Sequence, residues 1–323
     1  MLLAGIDIGG TKCRLSLCER SGDSLEFIHR GEARASSSVT PADMLELLWE
    51  DLEKAAAMRS EKPAAIGISC GNPLDQKRGI ILSPPNLPGW DEIHVTEFFE
   101  SRAGVPAYLQ NDADAGALAE WKYGAGKGCD NLVFITFGTG CGAGLILNGR
   151  LYSGSSGGAG EIGHIRLAEY GPPGYGKSGS MEGFCSGGGI ARLARFAVEA
   201  ELQRGRHPAF CPSYRELDSL SARTVGAAAE QGDPLAQKIY GEAGKKLGLG
   251  LSILIDILNP EMIIIGSIFR RRRNELWPPA SAIIEREALP RSRDVCRIVP
   301  SALGEEIGDY AAIAVAEYGR SPR

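Results

Sequence analysis

The order of elements along this chain predicts an α/β fold built from two related lobes, on three observations. Apolar, strand-like runs alternate with helical periodicities over most of the 323 residues. Glycine-rich turns stand at the strand ends, where chain reversals and ligand contacts collect. The plan of residues 6–17, an apolar strand, a small-residue turn and a second apolar strand, returns at residues 135–146. A repeated hairpin predicts two lobes that each offer a turn to one shared guest.

The totals bound the class. A chain of this length has room for roughly two domains. Its 43% hydrophobic and 23% charged residues are the composition of a soluble globular protein. A net charge of -5 and a pI near 5.6 argue against a general nucleic-acid binder. Eight scattered cysteines with no C-x-x-C spell neither a disulfide framework nor a zinc site, and they fit a reducing cytosol. The first residues carry no basic segment or cleavage pattern, so no signal peptide is expected. The most apolar run, residues 247–257, is broken by Asp256 and is too short for a bilayer, so it reads as a buried helix.

Residues 2–8 form a short apolar strand that ends in Asp7-Ile8-Gly9-Gly10-Thr11-Lys12 and returns as a strand through Leu15 and Leu17. Alone, that turn is equally a surface turn or a phosphate cradle; its counterpart at 138–144 favours phosphate. Residues 41–58 place Met44, Leu47, Leu48 and Leu52 at helical spacing. Residues 64–70 make a buried strand that ends in Gly71-Asn72-Pro73. The proline-stiffened loop 83–90 then carries Asn86 and Trp90, and both a structural and a ligand role stand open for it. A strand at 107–109 leads through Gln110-Asn111-Asp112-Ala113-Asp114 into a helix at 113–121. A carboxylate there is a natural N-cap, which assigns at least one of Asp112 and Asp114 to the cap and leaves the other as an acid/base group.

The second hairpin begins as a strand at 132–137 and breaks into a loop with Gly138, Gly140, Gly142 and Gly144. It resumes at 145–147 and turns at Asn148-Gly149. Such a loop lets backbone N–H groups approach an anion with no side chain in the way. Gly160-Glu161-Ile162-Gly163-His164 follows, a carboxylate and an imidazole among glycines, suited to reading a polar sugar-type ligand; a lone histidine is otherwise a core or surface residue. Residues 168–189 read as loop. Helices are expected at 190–202, 218–229, 234–257 and 308–318, with strands at 262–265, ending in Gly266-Ser267, and at 297–300. The four arginines at 270–273 read first as a solvated face, and second as a source of one adenine or phosphate contact.

Two spellings mislead. Gly171-Pro172-Pro173-Gly174-Tyr175-Gly176-Lys177-Ser178 matches a P-loop, but that mechanism needs a helix starting at the lysine, and the prolines and following glycines oppose one. Gly138-Thr139-Gly140 brushes the dinucleotide fingerprint, which must open a helix; here a strand follows.

Taken together, DIGGTK (7–12), Asn111-Asp112, TFGTGCGAG (136–144), EIGH (161–164) and NPEMIIIG (259–266) stand in the order found in ROK-family sugar kinases, which the chain resembles from Ile6 to about Ala316. The resemblance implies the two-lobed, ribonuclease H-like ATPase fold of hexokinase, actin and the Hsp70 chaperones. It also implies an N-terminal lobe of residues 1–115 with 305–323 and a C-terminal lobe of 116–304. It further implies ATP- and Mg²⁺-dependent phosphorylation of a hexose-type sugar by a glucokinase-like cytoplasmic homodimer, with no nucleic-acid or membrane partner. In that scheme Asp112 is the general base. Asn111, Glu161, His164 and Glu182, with Asn86 and Gly71, hold sugar hydroxyls. Gly9, Gly10, Thr11, Lys12, Thr136, Gly138, Thr139 and Gly140 take the nucleotide phosphates, Asp7 helps place Mg²⁺, and Gly266 and Ser267 lie beside the adenosine.

The chain departs from the family in one segment. Many members carry a C-x-C-G-x-x-G-C-x-E zinc loop after the G-H pair; here residues 171–182 read GPPGYGKSGSME, with no cysteine. No structural zinc is therefore expected, and prolines and packing are left to hold the loop. Ser267 also replaces a second glycine often seen at its turn. The family includes sugar-responsive repressors with a helix-turn-helix ahead of the first hairpin, for which Asp7 lies too near the start. A non-catalytic sugar sensor is the other alternative, opposed by Asp112. Glucose, fructose, mannose, allose and N-acetylhexosamines suit these residues alike.

Overall fold

A computed structural model of the chain describes residues 1–22, 24–34, 39–59 and 61–321; positions 322 and 323, at the end of the expected first-lobe span, lie outside it. Two five-stranded sheets share one plan. The first runs Ser24–Arg34, Lys12–Ser21, Leu2–Ile8, Ile66–Cys70, Ala107–Asn111. The second runs Arg150–Leu151, Cys141–Leu147, Leu132–Phe137, Met262–Ile265, Arg297–Pro300. In each, an antiparallel hairpin is followed by two parallel strands. The repeat read from residues 6–17 and 135–146 is thus a repeat of topology, and the fold is the two-lobed α/β type.

Register places the turns. Ile8 pairs with Cys70, and Cys70 with Asn111, so three strands of the first sheet end side by side. In the second, Ile265 is paired with both Ile135 and Pro300. Ligands of open α/β sheets gather where parallel strands end.

Two helices lie between the sheets. Ile307–Arg320 packs on Leu2–Ile8 and Ile66–Cys70, Asp112–Tyr123 packs on Leu132–Phe137 and Cys141–Leu147, and the two helices cross each other. The sides they turn to the sheets are small: Ala312 stands against Gly5 and Gly67, Ala113 and Ala117 against Gly144, and Gly116 against Phe134. A Cβ on Gly67 would collide with the Ala312 carbonyl, and one on Gly144 with the Ala113 carbonyl. Away from the turns the helices are tied by Lys122 Nζ donating to Glu317 Oε2 at 3.0 Å.

Several expectations shift. Gly142 and Gly144 belong to the strand Cys141–Leu147 and not to the preceding loop, and the small size of Gly144 serves packing on the Asp112 helix. Ser24–Arg34 went unread as a strand because, at the sheet edge, none of its residues is buried. Helix Val95–Ala103 also went unread, and the expected helix at 218–229 is a 3₁₀ turn, Tyr214–Ser219, and then Ala222–Glu230 capped by Ser221. Arg273–Glu287 is helical despite Pro278 and Pro279. It packs on Pro234–Leu258, where Gly244 and Gly248 let the backbones approach, and this contact overrides the proline penalty.

Gly67→Ala is expected to lower stability by about 2–3 kcal/mol, since the groups it would strike, Ala312 O and Ala316 N, are both backbone. Gly241→Ala, in a helix with open space around it, should gain about 0.5–1 kcal/mol. Urea melts of the two variants measure both.

Candidate active site

The strand ends of both sheets open onto one cleft of about 1290 Å³. That exceeds a pocket for one small ligand, roughly 300–1,000 Å³, and leaves room for two co-substrates. Every residue to which the family resemblance gave a sugar, phosphate, magnesium or adenosine role lines it, at distinguishable places.

Asp112 stands at the first turn of its helix, but it is not the cap. The cap is Asn111, whose Oδ1 accepts from the Asp114 N–H at 2.7 Å. This corrects the expectation of a carboxylate cap: with Asn111 in that role, Asp112 is released to face the cleft. The buried Asn111 keeps its amide N–H groups for a ligand. Burial, then the charge of Asp7, raises the Asp112 pKa to about 6, while backbone N–H groups at the helix start pull it down. The carboxyl is exposed along the cleft yet walled by protein on its other sides, which is how one group is both reachable and poorly solvated. Asp7 is likewise raised by burial, against the lowering effects of Ser69 and Arg14, the latter its register partner across the hairpin.

At the first turn, Gly10 has no room for a side chain because the Asn86 backbone rests on it. Loop 83–90 therefore supplies the cleft with Asn86, whose Oδ1 lies 3.6 Å from where a Gly71 Cβ would stand. The Trp90 indole is buried with Leu87 in the core and has a structural role. Gly9 and Thr11 also line the cleft. Lys12 does so too, but its ammonium is engaged by Glu32 at 2.8 Å. Exposed pairs of this kind hold by about 0–1 kcal/mol, so the lysine is readily released to an anion.

On the facing wall, Thr136 and the turn Gly138-Thr139-Gly140 line the cleft. Glu182 Oε2 accepts from the Cys141 N–H at 3.2 Å and so is fastened to this turn. The strip from Gly160 to His164 is pressed on the same hairpin: Ala143 N–H donates to Gly160 O at 2.8 Å, and side chains at Gly160 or Gly163 would strike the carbonyls of Ala143 or Cys141. Glu161 and His164 are exposed into the cleft. Asn72 was not foreseen; it follows the Ile66–Cys70 strand and donates through Nδ2 to Glu161 Oε1 at 2.9 Å. Its position beyond a parallel strand end was the available signal.

Gly266 and Ser267 line the far end, with Ser267 Oγ 3.7 Å from where a Gly138 Cβ would stand. Ser267 has φ +53°, a conformation glycine favours. Of the four arginines, Arg271 pairs with Glu305 at 2.6 Å and Arg272 with Glu230 at 2.7 Å. Arg270 lines the cleft against Gly304 and has no ion pair among the described residues.

The P-loop spelling is a hairpin. Pro173-Gly174 pairs with Lys177-Ser178 across Tyr175 and Gly176, both at positive φ, so no helix starts at Lys177. Lys177 Nζ donates to His164 O at 2.7 Å, and Arg166 Nη1 to Ser178 O at 2.9 Å. These bonds, beside the prolines, seat the cysteine-free segment against the Glu161–His164 strip.

The ROK family profile matches residues 3–317. A glucokinase of Halalkalibacterium halodurans is 31% identical over 309 residues, covering 94% of this chain and 91% of that one. A ROK hexokinase of Thermus thermophilus superposes with a TM-score of 0.81 at 26% identity, covering 99% of both chains. A ROK glucokinase of Streptomyces griseus, in complex with glucose and AMPPNP, gives 0.78 at 27% identity, covering 98% of this chain and 99% of that one.

Ser267→Gly is expected to raise stability by about 1–2 kcal/mol by relieving the positive φ, as measured by thermal unfolding.

Proposed function

The chain belongs to the ROK family, and from that premise we propose that it transfers the γ-phosphoryl group of ATP to a hydroxyl of a hexose, with glucose the leading substrate. The observation that carries this reading is one cleft in which Asp112 stands with two glycine turns of matched topology. The glucokinase relative and the neighbour holding glucose and AMPPNP support the choice of sugar and nucleotide.

In this reading the backbone N–H groups of Gly9 to Thr11 and Gly138 to Gly140 hold phosphate oxygens. Asn111, Glu161, His164 and Glu182, with Asn86 and Gly71, hold the sugar. The attacking hydroxyl oxygen bonds to the γ-phosphorus as the bond to ADP breaks, and its proton passes to Asp112 late, when the hydroxyl has become acidic. The transfer calls for alignment and charge stabilisation more than for a strong base, and a cleft that excludes water limits hydrolysis.

The residues fit Mg²⁺. Asp7 raises the pKa of Asp112, a local excess of negative charge that a divalent cation relieves. Among the described residues no three His, Cys, Asp or Glu side chains meet closely enough to cage an ion, so Asp7 would help hold one whose other ligands are phosphate and water. When bound, it neutralises charge on the phosphate oxygens.

Arg270 serves the nucleotide in this scheme, as the cleft-lining cation beside Ser267. The lobes in this reading are residues 1–115 with 305–323 and residues 116–304; which strands each sheet draws on supports the division, and the helix Asp112–Tyr123 spans its boundary. A cytoplasmic homodimer completes the reading; eight free cysteines suit a reducing compartment.

Asp112→Asn should cut hexose-dependent ADP release by about 10²-fold or more while sugar and nucleotide still bind in thermal-shift titrations; wild-type turnover refutes the assignment. Because the base works ionised and its pKa is raised to about 6, kcat/KM should climb as pH rises through 6 and level above it. The same shift means the folded state holds that proton more tightly than the unfolded chain, so ionisation costs stability over pH 4 to 6. Arg270→Ala should raise the KM for ATP by roughly five-fold and leave the sugar KM unchanged in steady-state kinetics.

A further inference from the structure

The cleft holds one exposed aromatic side chain that folding alone does not explain. Tyr152, Tyr170, Tyr175, Phe196 and Tyr214 are the exposed aromatics among the described residues, and of these only Tyr175 lines the cleft. It is 75% exposed, and its ring enters no aromatic pair or cation–π contact among the described residues. A large apolar ring left to water inside a ligand cleft gains by being covered, so its position serves binding before folding.

The backbone beneath the ring points the same way. Tyr175 and Gly176 form the two-residue turn between the paired strands Pro173–Gly174 and Lys177–Ser178, at φ +43° and +75°. A turn with both φ values positive favours asparagine, aspartate or glycine at its first position. Tyrosine there carries a steric cost, and the ring's exposure means that packing does not offset it. The hairpin also fixes where the ring stands. Lys177 Nζ ties one strand to the sugar strip through His164 O at 2.7 Å. The other strand lies on the short helix Met181–Phe184, where a Cβ on Gly174 would stand 2.8 Å from Glu182 Cβ. Tyr175 therefore belongs to the part of the cleft wall that carries His164 and Glu182.

We infer that Tyr175 is a specificity-determining residue for the sugar: its ring is the platform on which the C–H face of a gluco-configured pyranose packs, while His164 and Glu182 take the hydroxyl edge. A pyranose is polar at its rim and apolar on its two faces, so carboxylate and imidazole groups read only the rim. An aromatic ring, negative over its face, suits the C–H groups of a flat sugar face, and joining the two removes apolar area from water. In glucose the hydroxyls at C2, C3 and C4 are equatorial and both faces are clear. The C2 epimer, mannose, sets an axial hydroxyl on one face, and the C3 epimer, allose, sets one on the other. Whichever face meets the ring, one of these two epimers places an oxygen against it. The sugar rests on the kinase reading; the place of the ring does not.

Tyr175→Gly removes the ring and gives the turn a residue it favours, so the protein should fold and its Tm should rise by about 2 °C. The same variant should raise the glucose KM, and the glucose Kd measured by calorimetry, by about five- to ten-fold, with the KM for ATP within about two-fold. Tyr175→Phe, which keeps the ring and loses the hydroxyl, should stay within about two-fold of wild type. On loss of the ring, one of mannose and allose should weaken by less than about two-fold while the other falls with glucose. A glucose KM and Kd unchanged in Tyr175→Gly, a Phe variant as impaired as the Gly one, or an equal loss for all three sugars overturns the platform. Should the wild type bind glucose yet transfer no phosphoryl group, the kinase reading falls alone and the Kd series decides Tyr175. A wild type that binds none of the three sugars overturns both.

Discussion

Close approach between two small-faced helices and the sheets on either side of them is the constraint from which the site follows. Gly67 against Ala312 and Gly144 against Ala113 bring backbone to backbone where any side chain would intrude. Alanine and glycine contribute little hydrophobic area each, so these contacts stabilise through close packing over a long seam. Their value is positional. The Asp112 helix lies on the second sheet, the closing helix lies on the first, and their crossing leaves both sets of strand ends facing one cleft.

A helix start placed by packing then decides the chemistry of its first residues. Asn111 closes the cap and Asp112 is left free, one turn position from the strand whose register aligns it with Cys70 and Ile8. The raised pKa follows from the same placement: protein walls and the nearby Asp7 both disfavour the charged form, while the helix start restrains the shift.

The segment lacking cysteine shows how one local tie replaces another. A metal would fix the strip ending at His164 through coordination; here Lys177 reaches the carbonyl of that residue, and Arg166 secures the same hairpin strand at Ser178. Glu182 stands on a short helix, Met181–Phe184, where loop was expected, and it is held from the other side by the Cys141 N–H. The strip ending at His164 and the turn before Cys141 are thereby tied into one hydrogen-bonded unit.

The sequence by itself determined the α/β class, the paired hairpins and the cast of cleft residues, because strand periodicity and glycine turns are local signals and five motifs in order identify a family. It could not choose between Asn111 and the aspartates for the cap, since all three are good capping residues and only the path of the strand into the helix selects one. Nor could it tell that Gly144 serves packing, or that Arg270 alone among four arginines faces the cleft. The helix through Pro278 and Pro279 belongs to the same class. Those were settled by contacts between residues tens to hundreds of positions apart, which no local pattern encodes.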